Sequence, residues 1–531
     1  MFNILISDKL AQQGVDIFKA EQDIQVDVKL GLKPDELRNM IGNYDALVVR
    51  SETQVTAEVI AVAKKLKVIG RAGVGFDNID IPAATRAGII VMNTPDANTI
   101  SAAEHTMALI LSLARNIPQA NASLLAKKWE RSKFVGVELL GKTLGIIGLG
   151  RIGAEVSSRS KSFGMKIVAY DPYASSDRAK ELGVELCDLK TLLSRSDIIT
   201  VHVPITKDTR QLIGTEELKL CKKGVRIVNV ARGGIYDEAA VAEALKSGQV
   251  AGAAFDVFSK EPPTDNPLLD LPNFIATPHL GASTEEAQIN VGMVVARQII
   301  EALRNGTIFN AVNLPALDAR EREHLQPYFT LCDKLAAFLS QGTRDKLDAI
   351  HITYSGDVTR EKTPALTLAI LKDLLASSYQ ENINYVNAPI LAKERGIKVT
   401  ESMTDHFGSY TNSILIEIES GAARHSIRGT LLIDATPRIV EIDKYRVDVP
   451  AEGTLLVFFN PDIPGILGKV STILGNARVN IAGLANGRIE PGKDAVTVIS
   501  VDNEVPAEVI KTISAIAGLK HVRLVSLRDQ G

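Results

Sequence analysis

The sequence predicts an α/β protein built around doubly wound parallel sheets, and three observations carry that prediction. Short Val/Ile-rich runs alternate with helical patterns through the first three hundred residues, which is the signature of consecutive βα units. Residues 143–172 hold a strand, a glycine turn, a helix and a second strand, a βαβ unit of about thirty residues. From residue 453 the pattern changes to βαββαβ. A chain of 531 residues, at roughly 100–200 per domain, divides into three or four domains.

Taken in order, strands are expected at NILIS, ALVVRS, LKVIG and GIIVMN, followed by the amphipathic helix SAAEHTMALILSLARNI over 101–117. The βαβ unit TLGIIGLGRIGAEVSSRSKSFGMKIVAYDP comes next, then strands in DIITVHVP, VRIVNVARGG, VAGAAFDVF and NFIATPH. A single doubly wound domain can therefore occupy about 140–280. The next helix is expected to begin near Ser283, where Ser283 and Glu286 have capping-box spacing, and to stop at Asn305-Gly306. Between 314 and 449, strands such as SILIEIES and TLLIDA and helices such as ALTLAILKDLL and APILAKERG suggest an independent α/β module. The last stretch gives strand TLLVFFN, helix PGILGKVSTILGNARV, strands NIAGLANGRI and DAVTVISVD, helix PAEVIKTISAIAGL and strand VRLVSL.

Composition removes several function classes. The formal net charge is -3, with 45% apolar and 23% charged residues, so there is no basic footprint for nucleic acid. Cys187, Cys221 and Cys332 lie far apart, which makes neither a disulfide framework nor a metal site readable. No apolar run approaches the roughly 18 residues of a membrane span, and MFNILISDKL lacks the pattern of a signal peptide. Small-molecule chemistry in a reducing cytoplasm is the expectation.

Gly148-Leu149-Gly150-Arg151-Ile152-Gly153 reads GxGxxG. Alone that is a weak signal; after an apolar strand and at the opening of a helix it becomes a strong one. The glycines let the backbone approach a pyrophosphate at the positive helix N-terminus. Asp171 ends the next strand, eighteen residues after Gly153, where its carboxylate can bond a ribose 2′-hydroxyl and repel a 2′-phosphate. NAD is therefore expected rather than NADP. The same turn without a ligand is the plainer alternative. Arg151 can face the pyrophosphate or simply be solvated at the helix start. A second pair, Gly73-Val74-Gly75, reads as a turn whose amides could hold a substrate anion.

Three successive strands end in polar groups: Arg232 after VRIVNVA, Glu261 after AAFDVF and His279 after FIATP. Strand C-termini line the ligand crevice of an open α/β sheet, so the three can converge. Arginine can hold a carboxylate and polarise a carbonyl. Histidine can move the proton of an alcohol, and a carboxylate on its other ring nitrogen fixes the tautomer and favours the imidazolium. Taken one at a time, each also fits a bland role as a turn arginine, a loop charge or a capped loop histidine. His202 in VHVP is the competitor and suits a packing or cofactor-wall position; His105 lies on an apolar helical stripe and suits the core or a hinge.

GLGRIG, YDPY, VNVARGGIYDE, AAFDVF, EPP and TPHLGAST together resemble the D-isomer-specific 2-hydroxyacid dehydrogenases. RAGVGFDNID, NTPDANTISAAEHTMALILSLAR and KKWERSKFVGVELLGKTLGIIG narrow the resemblance to the long branch that acts on 3-phosphoglycerate. It implies that Arg232, Glu261 and His279 are catalytic. It also implies that Arg151 and Ile152 lie at the pyrophosphate and Asp171 at the ribose, with Val203, Val230, Ala231, Asp256, His279 and Gly281 near the nicotinamide. A substrate carrying both carboxylate and phosphate needs further cations; Arg50, Gly73, Val74 and Arg131 are assigned to it, Arg131 on an arm exchanged between subunits. Val74 departs from relatives that carry threonine at this position.

The architecture implied is a flavodoxin-like substrate-binding domain, 1–97 with 284–313, split by a Rossmann-type NAD-binding domain, 98–283. An intervening domain, 314–449, and an ACT domain, 453–531, follow. In such modules Asn460, Asp462 and Asn480 would hold an amino-acid effector, L-serine, between subunits. The implied activity is NAD-dependent oxidation of 3-phosphoglycerate to 3-phosphohydroxypyruvate, at the entry to serine biosynthesis, in a homo-oligomer (dimer or tetramer). Another hydroxyacid or glyoxylate reductase and an NAD-sensing co-repressor-like protein remain the alternatives.

Overall fold

The computed structural model describes residues 1–531 apart from 316, 318, 343–345, 380–382, 406–409 and 528–531. The last four residues of the expected 453–531 segment therefore lie outside the described residues. Four sheets organise the chain.

The first is five-stranded and all parallel, in the order Ile24–Val28, Phe2–Ile6, Ala46–Val49, Val68–Arg71, Ile90–Met92. This is the flavodoxin-like order 2-1-3-4-5. Its edge strand IQVDV went unrecognised in the sequence because it is mostly half-exposed. The long helix Glu285–Asn305 returns to this sheet: Val291, Val295 and Ile299 share a core with Ile4, Ile6 and Phe18. Gly14 and Gly292 let the helix Gln12–Lys19 touch it, since a Cβ on Gly14 would fall 2.7 Å from the Gly292 carbonyl. The helix starts one residue later than expected. Thr284, extended at φ -112 and ψ 156, is the cap, and its side chain accepts the Ala287 N–H; Ser283 is not used.

The second sheet runs Phe274–Ala276, Val250–Phe255, Val225–Asn229, Ile198–Val201, Thr143–Ile147, Lys166–Tyr170, Glu185–Leu186. All its pairings are parallel. The order reverses beside Thr143–Ile147, which is the topological switch point of a doubly wound sheet and the place where ligands bind. The helix Thr99–Arg115 crosses from the first sheet to the second and ends at Asn116 in the left-handed region. Among the described residues, no helix is long and apolar enough to cross a membrane.

The third sheet is mixed: Lys398–Thr404 and Ala349–Gly356 are parallel, and Asn412–Ser420, Ala423–Leu431, Pro437–Ile442 and Tyr445–Pro450 continue antiparallel. TLLIDA is a strand only as far as Leu431. Leu432 to Ala435 form a turn in which Ile433 is fully exposed, so apolar content misled there. Helices Ala319–Ser340 and Thr363–Ser378 pack together over this sheet and set Asp333 against Asp373. The fourth sheet, Ile481–Arg488, Asp494–Val501, Thr454–Pro461, Lys520–Ser526, is antiparallel, and its two helices give the expected βαββαβ order.

Candidate active site

The glycine turn meets three separate demands. Gly148 has φ +95, and a Cβ there would lie 2.7 Å from the His202 carbonyl oxygen and from Val203 Cγ1. On Gly153 a Cβ would fall 2.1 Å from the Gly148 carbonyl oxygen, so this glycine seats the helix Arg151–Ser162 on the turn. Gly150 meets nothing within 4 Å, which leaves bare backbone at a helix N-terminus. Asp171 is fixed beside the turn: its Oδ2 accepts the Leu149 N–H at 2.8 Å and its Oδ1 the Tyr173 N–H at 2.9 Å. Each oxygen keeps acceptor capacity. Open backbone amides and a placed carboxylate are what a pyrophosphate and its ribose require, so the residues fit a dinucleotide.

The neighbours of the turn are differentiated. Arg151 Nε lies 2.5 Å from Asp96 Oδ1, so a residue of the domain crossing holds its guanidinium. Ile152 packs against the core. His202 is half-buried with Nε2 3.0 Å from Thr200 Oγ1, and desolvation of the ring pushes its pKa down to about 3. It is a neutral wall beside the half-buried Val203 and not an acid. Val230 is buried and Ala231 half-buried.

Arg232 leaves the end of strand Val225–Asn229 and reaches the first domain. Its Nη1 donates to the Ala231 carbonyl at 2.7 Å, and its Nε lies 3.3 Å from Asp77 Oδ2. A Cβ on Gly75 would fall 2.0 Å from Arg232 Nη2, so Gly75 is the residue that makes room for the guanidinium. Glu261 and His279 meet as expected, with Nδ1 2.8 Å from Oε2, while Glu261 Oε1 accepts the Phe258 N–H at 3.0 Å. Burial works against the Glu261 charge. The bonds from His279 and Phe258 outweigh it and hold the carboxyl below its ordinary range.

His279 has φ +54, a conformation uncommon for a residue with a side chain. Asp256 holds it there. The Asp256 carbonyl accepts the His279 N–H at 2.9 Å, Oδ1 accepts the Leu280 N–H at 2.7 Å and the Thr277 hydroxyl at 2.5 Å, and Oδ2 accepts the Gly281 N–H at 2.8 Å. Asp256 is thus buried beneath the turn as its anchor. Gly281 is tightly packed, since a Cβ would approach Val230 Cγ1 to 3.0 Å and Asp256 Oδ2 to 3.3 Å.

The cationic group at the first sheet is larger than the sequence indicated. Arg71, at the end of strand Val68–Arg71, is mostly buried; burial and then the like charges of Arg232 and Arg50 push its pKa down to about 10. Three guanidiniums therefore share one field, with Asp77 and Asp8 as counter-charges. Arg71 Nε is buried with no hydrogen-bond partner among the described residues. Arg71 was legible in principle, because it ends a strand of a parallel sheet just as Arg232 does. Arg50 donates to the Lys9 carbonyl at 3.3 Å. Gly73 needs correction as an anion donor: its N–H is donated to the Arg71 carbonyl at 2.9 Å. Among the described residues the Val74 N–H has no such partner, while the Val74 carbonyl accepts from Asn93 Nδ2 at 2.6 Å. Arg131 lies on the exposed turn Arg131–Phe134. Among the described residues it makes no ion pair or hydrogen bond with the arginine cluster.

The three residues expected to hold an effector, Asn460, Asp462 and Asn480, are not gathered in one chain. Asn460 is buried and accepts from Thr497 Oγ1 at 2.8 Å; Asp462 nearby accepts from Arg488 Nη1 at 2.9 Å and from the Gly492 N–H at 3.0 Å. Asn480 bonds Asp502 Oδ2 at 2.6 Å. In the sheet register Asn460 pairs with Ala495, whereas Ile481, next to Asn480, pairs with Val501. Six residues at about 3.3 Å each separate these positions, so Asn480 lies at the opposite end of the sheet.

Comparison with known proteins identifies the domains in order. Residues 107–281 match the D-isomer specific 2-hydroxyacid dehydrogenase NAD binding domain, 324–443 the D-3-phosphoglycerate dehydrogenase intervening domain and 454–518 the ACT domain. Among solved structures, a glyoxylate reductase from Paecilomyes thermophila aligns with TM-score 0.54 and 31% identity, covering 58% of this chain and 97% of that one. A D-lactate dehydrogenase from Aquifex aeolicus complexed with NAD and lactic acid aligns with TM-score 0.53 and 30% identity, covering 57% and 96%. The D-3-phosphoglycerate dehydrogenase of Methanocaldococcus jannaschii is 48% identical over 99% of this chain and 100% of its own length. That of Bacillus subtilis is 41% identical over 99% and 100%. With matches that run end to end and three consecutive domain models in order, the chain belongs to the D-3-phosphoglycerate dehydrogenase family.

Proposed function

We infer that this protein is an NAD-dependent oxidoreductase that interconverts 3-phosphoglycerate and 3-phosphohydroxypyruvate, the first step of serine biosynthesis. The observation that carries the assignment of roles is the His279–Glu261 pair at 2.8 Å on the sheet whose Arg232 reaches the arginine cluster of the first domain. Bound NAD supplies the acceptor for the hydride that leaves C2. His279 takes the proton of the C2 hydroxyl through Nε2, because Nδ1 is engaged by Glu261, and returns it in the reverse direction. Arg232 holds the C1 carboxylate and the C2 oxygen. Arg71 and Arg50 supply positive charge for the phosphate. Residues 1–97 with 284–313 are assigned to substrate and 98–283 to cofactor, so two chain crossings form a hinge that can close over both.

The finer regulatory reading rests on separation. Asn460 and Asp462 at one end of the ACT sheet and Asn480 at the other are suited to a serine site completed by two copies of the domain. Exposed Leu124, Leu125, Trp129 and Val135 around Arg131 form an apolar surface of the kind that marks an interface, which supports a homo-oligomer with Arg131 delivered to a neighbouring site. Steady-state reduction by this enzyme with NADH should strongly prefer phosphohydroxypyruvate to hydroxypyruvate and glyoxylate, and L-serine should slow it. Preference for an unphosphorylated acid would overturn the substrate assignment, and indifference to serine the regulatory one. In the same assay His279→Asn should bind NADH and turn over only slightly.

A further inference from the structure

We propose that His105 is a positioning residue for the dehydrogenase reaction, fixing the turn that carries His279 by donating one shared hydrogen bond to Asp256 and Thr277. The inference rests on His279 being the proton-transfer group.

The geometry begins in the crossing helix Thr99–Arg115, which sits on the segment that links the two domains. From it, His105 Nε2 reaches Thr277 Oγ1 at 3.1 Å and Asp256 Oδ1 at 3.2 Å. The direction of donation follows from the partners. Asp256 carries an ionised carboxylate, which burial disfavours but the bonds from His105, Thr277 and the two turn amides sustain, and a carboxylate only accepts. The Thr277 hydroxyl hydrogen is already directed to that carboxylate at 2.5 Å. Nε2 must therefore carry the hydrogen and divide it between the two oxygens. Asp256 in turn holds the Leu280 and Gly281 amides and, through its carbonyl, that of His279.

His105 thus stands one bond behind the group that clamps a left-handed residue. The Asp256 side chain has no solvent exposure and that of His105 is 20% exposed, so water cannot fully replace the donor. Removing it leaves a buried carboxylate with one donor fewer and a turn whose φ +54 residue is less firmly held. Because the donor comes from the crossing helix, the bond also ties the catalytic turn to the segment that joins the two domains.

The test compares the full-length His105→Leu, His105→Gln and His105→Asn enzymes with wild type. Leucine removes the donor. The glutamine amide nitrogen occupies about the position of Nε2 and restores it, and asparagine falls one bond short. His105→Leu and His105→Asn should lose turnover by on the order of 10–100-fold, the penalty of displacing a catalytic group by about 1 Å. The NADH dissociation constant should hold within about twofold, and the primary isotope effect with 4-deuterated NADH should rise as hydride transfer becomes limiting. His105→Gln should recover most of kcat. Full turnover in His105→Leu, or equal turnover in the glutamine and asparagine variants, would overturn the proposal; the second comparison holds even if the leucine variant folds poorly. His279→Asn measured alongside separates the two levels: if it retains turnover, the assignment of His279 itself fails, whereas an inactive His279→Asn beside a fully active His105→Leu refutes only the role of His105.

Discussion

Nδ1 of His279 lies 2.8 Å from Oε2 of Glu261, and the second oxygen of that carboxylate is held by the Phe258 N–H at 3.0 Å. The backbone bond matters as much as the ion pair. It fixes the carboxylate plane, so the imidazole is oriented by a group that cannot rotate away, and Nε2 is the atom left for the substrate.

Glu261→Gln keeps the shape and removes the charge. It should lower kcat by on the order of 100-fold at neutral pH, the lower end of a general acid–base contribution, with little change in NADH affinity. The Glu261 carboxyl lies below its ordinary range because the His279 and Phe258 bonds outweigh burial. The folded state therefore binds this proton less readily than the unfolded chain does. The stability it contributes is present above the ordinary carboxylate range and is lost as pH falls through the lowered folded value. Since the side chain is 37% exposed, the contribution is only about 0.2–1 kcal/mol. Urea denaturation of wild type and variant should differ by that amount at pH 7 and converge as pH falls below the ordinary carboxylate range and through the lowered folded value; a gap that widens toward acid would contradict the direction of the shift.

Gly150 offers a cleaner separation of stability from binding. A Cβ there meets no atom within 4 Å of the protein, and its φ of -68 suits any residue. Gly150→Ala should leave the melting temperature of the ligand-free protein unchanged to within the effect of about 0.5 kcal/mol typical of a neutral surface change. NADH binding should nevertheless weaken by about tenfold or more, because the methyl occupies the path of the pyrophosphate. Titration of NADH fluorescence decides it, and unchanged affinity would mean that the pyrophosphate lies elsewhere.

Arg71 should govern recognition of the phosphate rather than chemistry. Arg71→Gln should raise KM for phosphohydroxypyruvate by about 10–100-fold, the loss of one charge-assisted hydrogen bond of ~1.5–3 kcal/mol. kcat should change far less, and KM for hydroxypyruvate, which has no phosphate, should stay near that of wild type. Equal losses on both substrates would assign Arg71 to the carboxylate end together with Arg232.

How much of this was legible in the sequence differs from residue to residue. Arg232, Glu261 and His279 were readable because each follows an apolar strand, and strand ends are visible in a periodic sequence. Arg71 also ends a strand, yet its significance depends on sheet order: only the arrangement 2-1-3-4-5 brings the strands Ala46–Val49 and Val68–Arg71 side by side and so pairs Arg71 with Arg50. The demand on Gly75 was invisible, because the obstacle is a guanidinium from a distant strand. The shift from Ser283 to Thr284 reflects two residues with equal capping chemistry, between which backbone angles choose. LLIDA reads as strand by apolar content, but a turn can expose Leu432 and Ile433 where no sheet partner is on hand. For Asn480, the resemblance grouped it with Asn460 and Asp462, and the strand register placed it at the far end of the sheet.

Asp333 permits a prediction far from the catalytic site. It faces Asp373, itself 3.0 Å from Lys372 Nζ, and burial together with the Asp373 charge pushes its pKa up to about 7. Here the sign is opposite to that of Glu261. Below the ordinary carboxylate range folded and unfolded chains both hold the proton, and the residue costs nothing. As pH rises, the unfolded chain releases it near 3.9 while the folded chain keeps it to about 7, so stability falls across that window and the cost is complete above it. Asp333→Asn, which keeps the size and a hydrogen for Asp373 but cannot ionise, should stabilise the protein at pH 8.5 by on the order of 1–3 kcal/mol, the usual penalty of a buried polar group without full compensation. At pH 5 the gain should be much smaller. Melting temperatures at the two pH values measure it directly: a stabilisation independent of pH would point to packing between helices Ala319–Ser340 and Thr363–Ser378 rather than to the carboxyl pair.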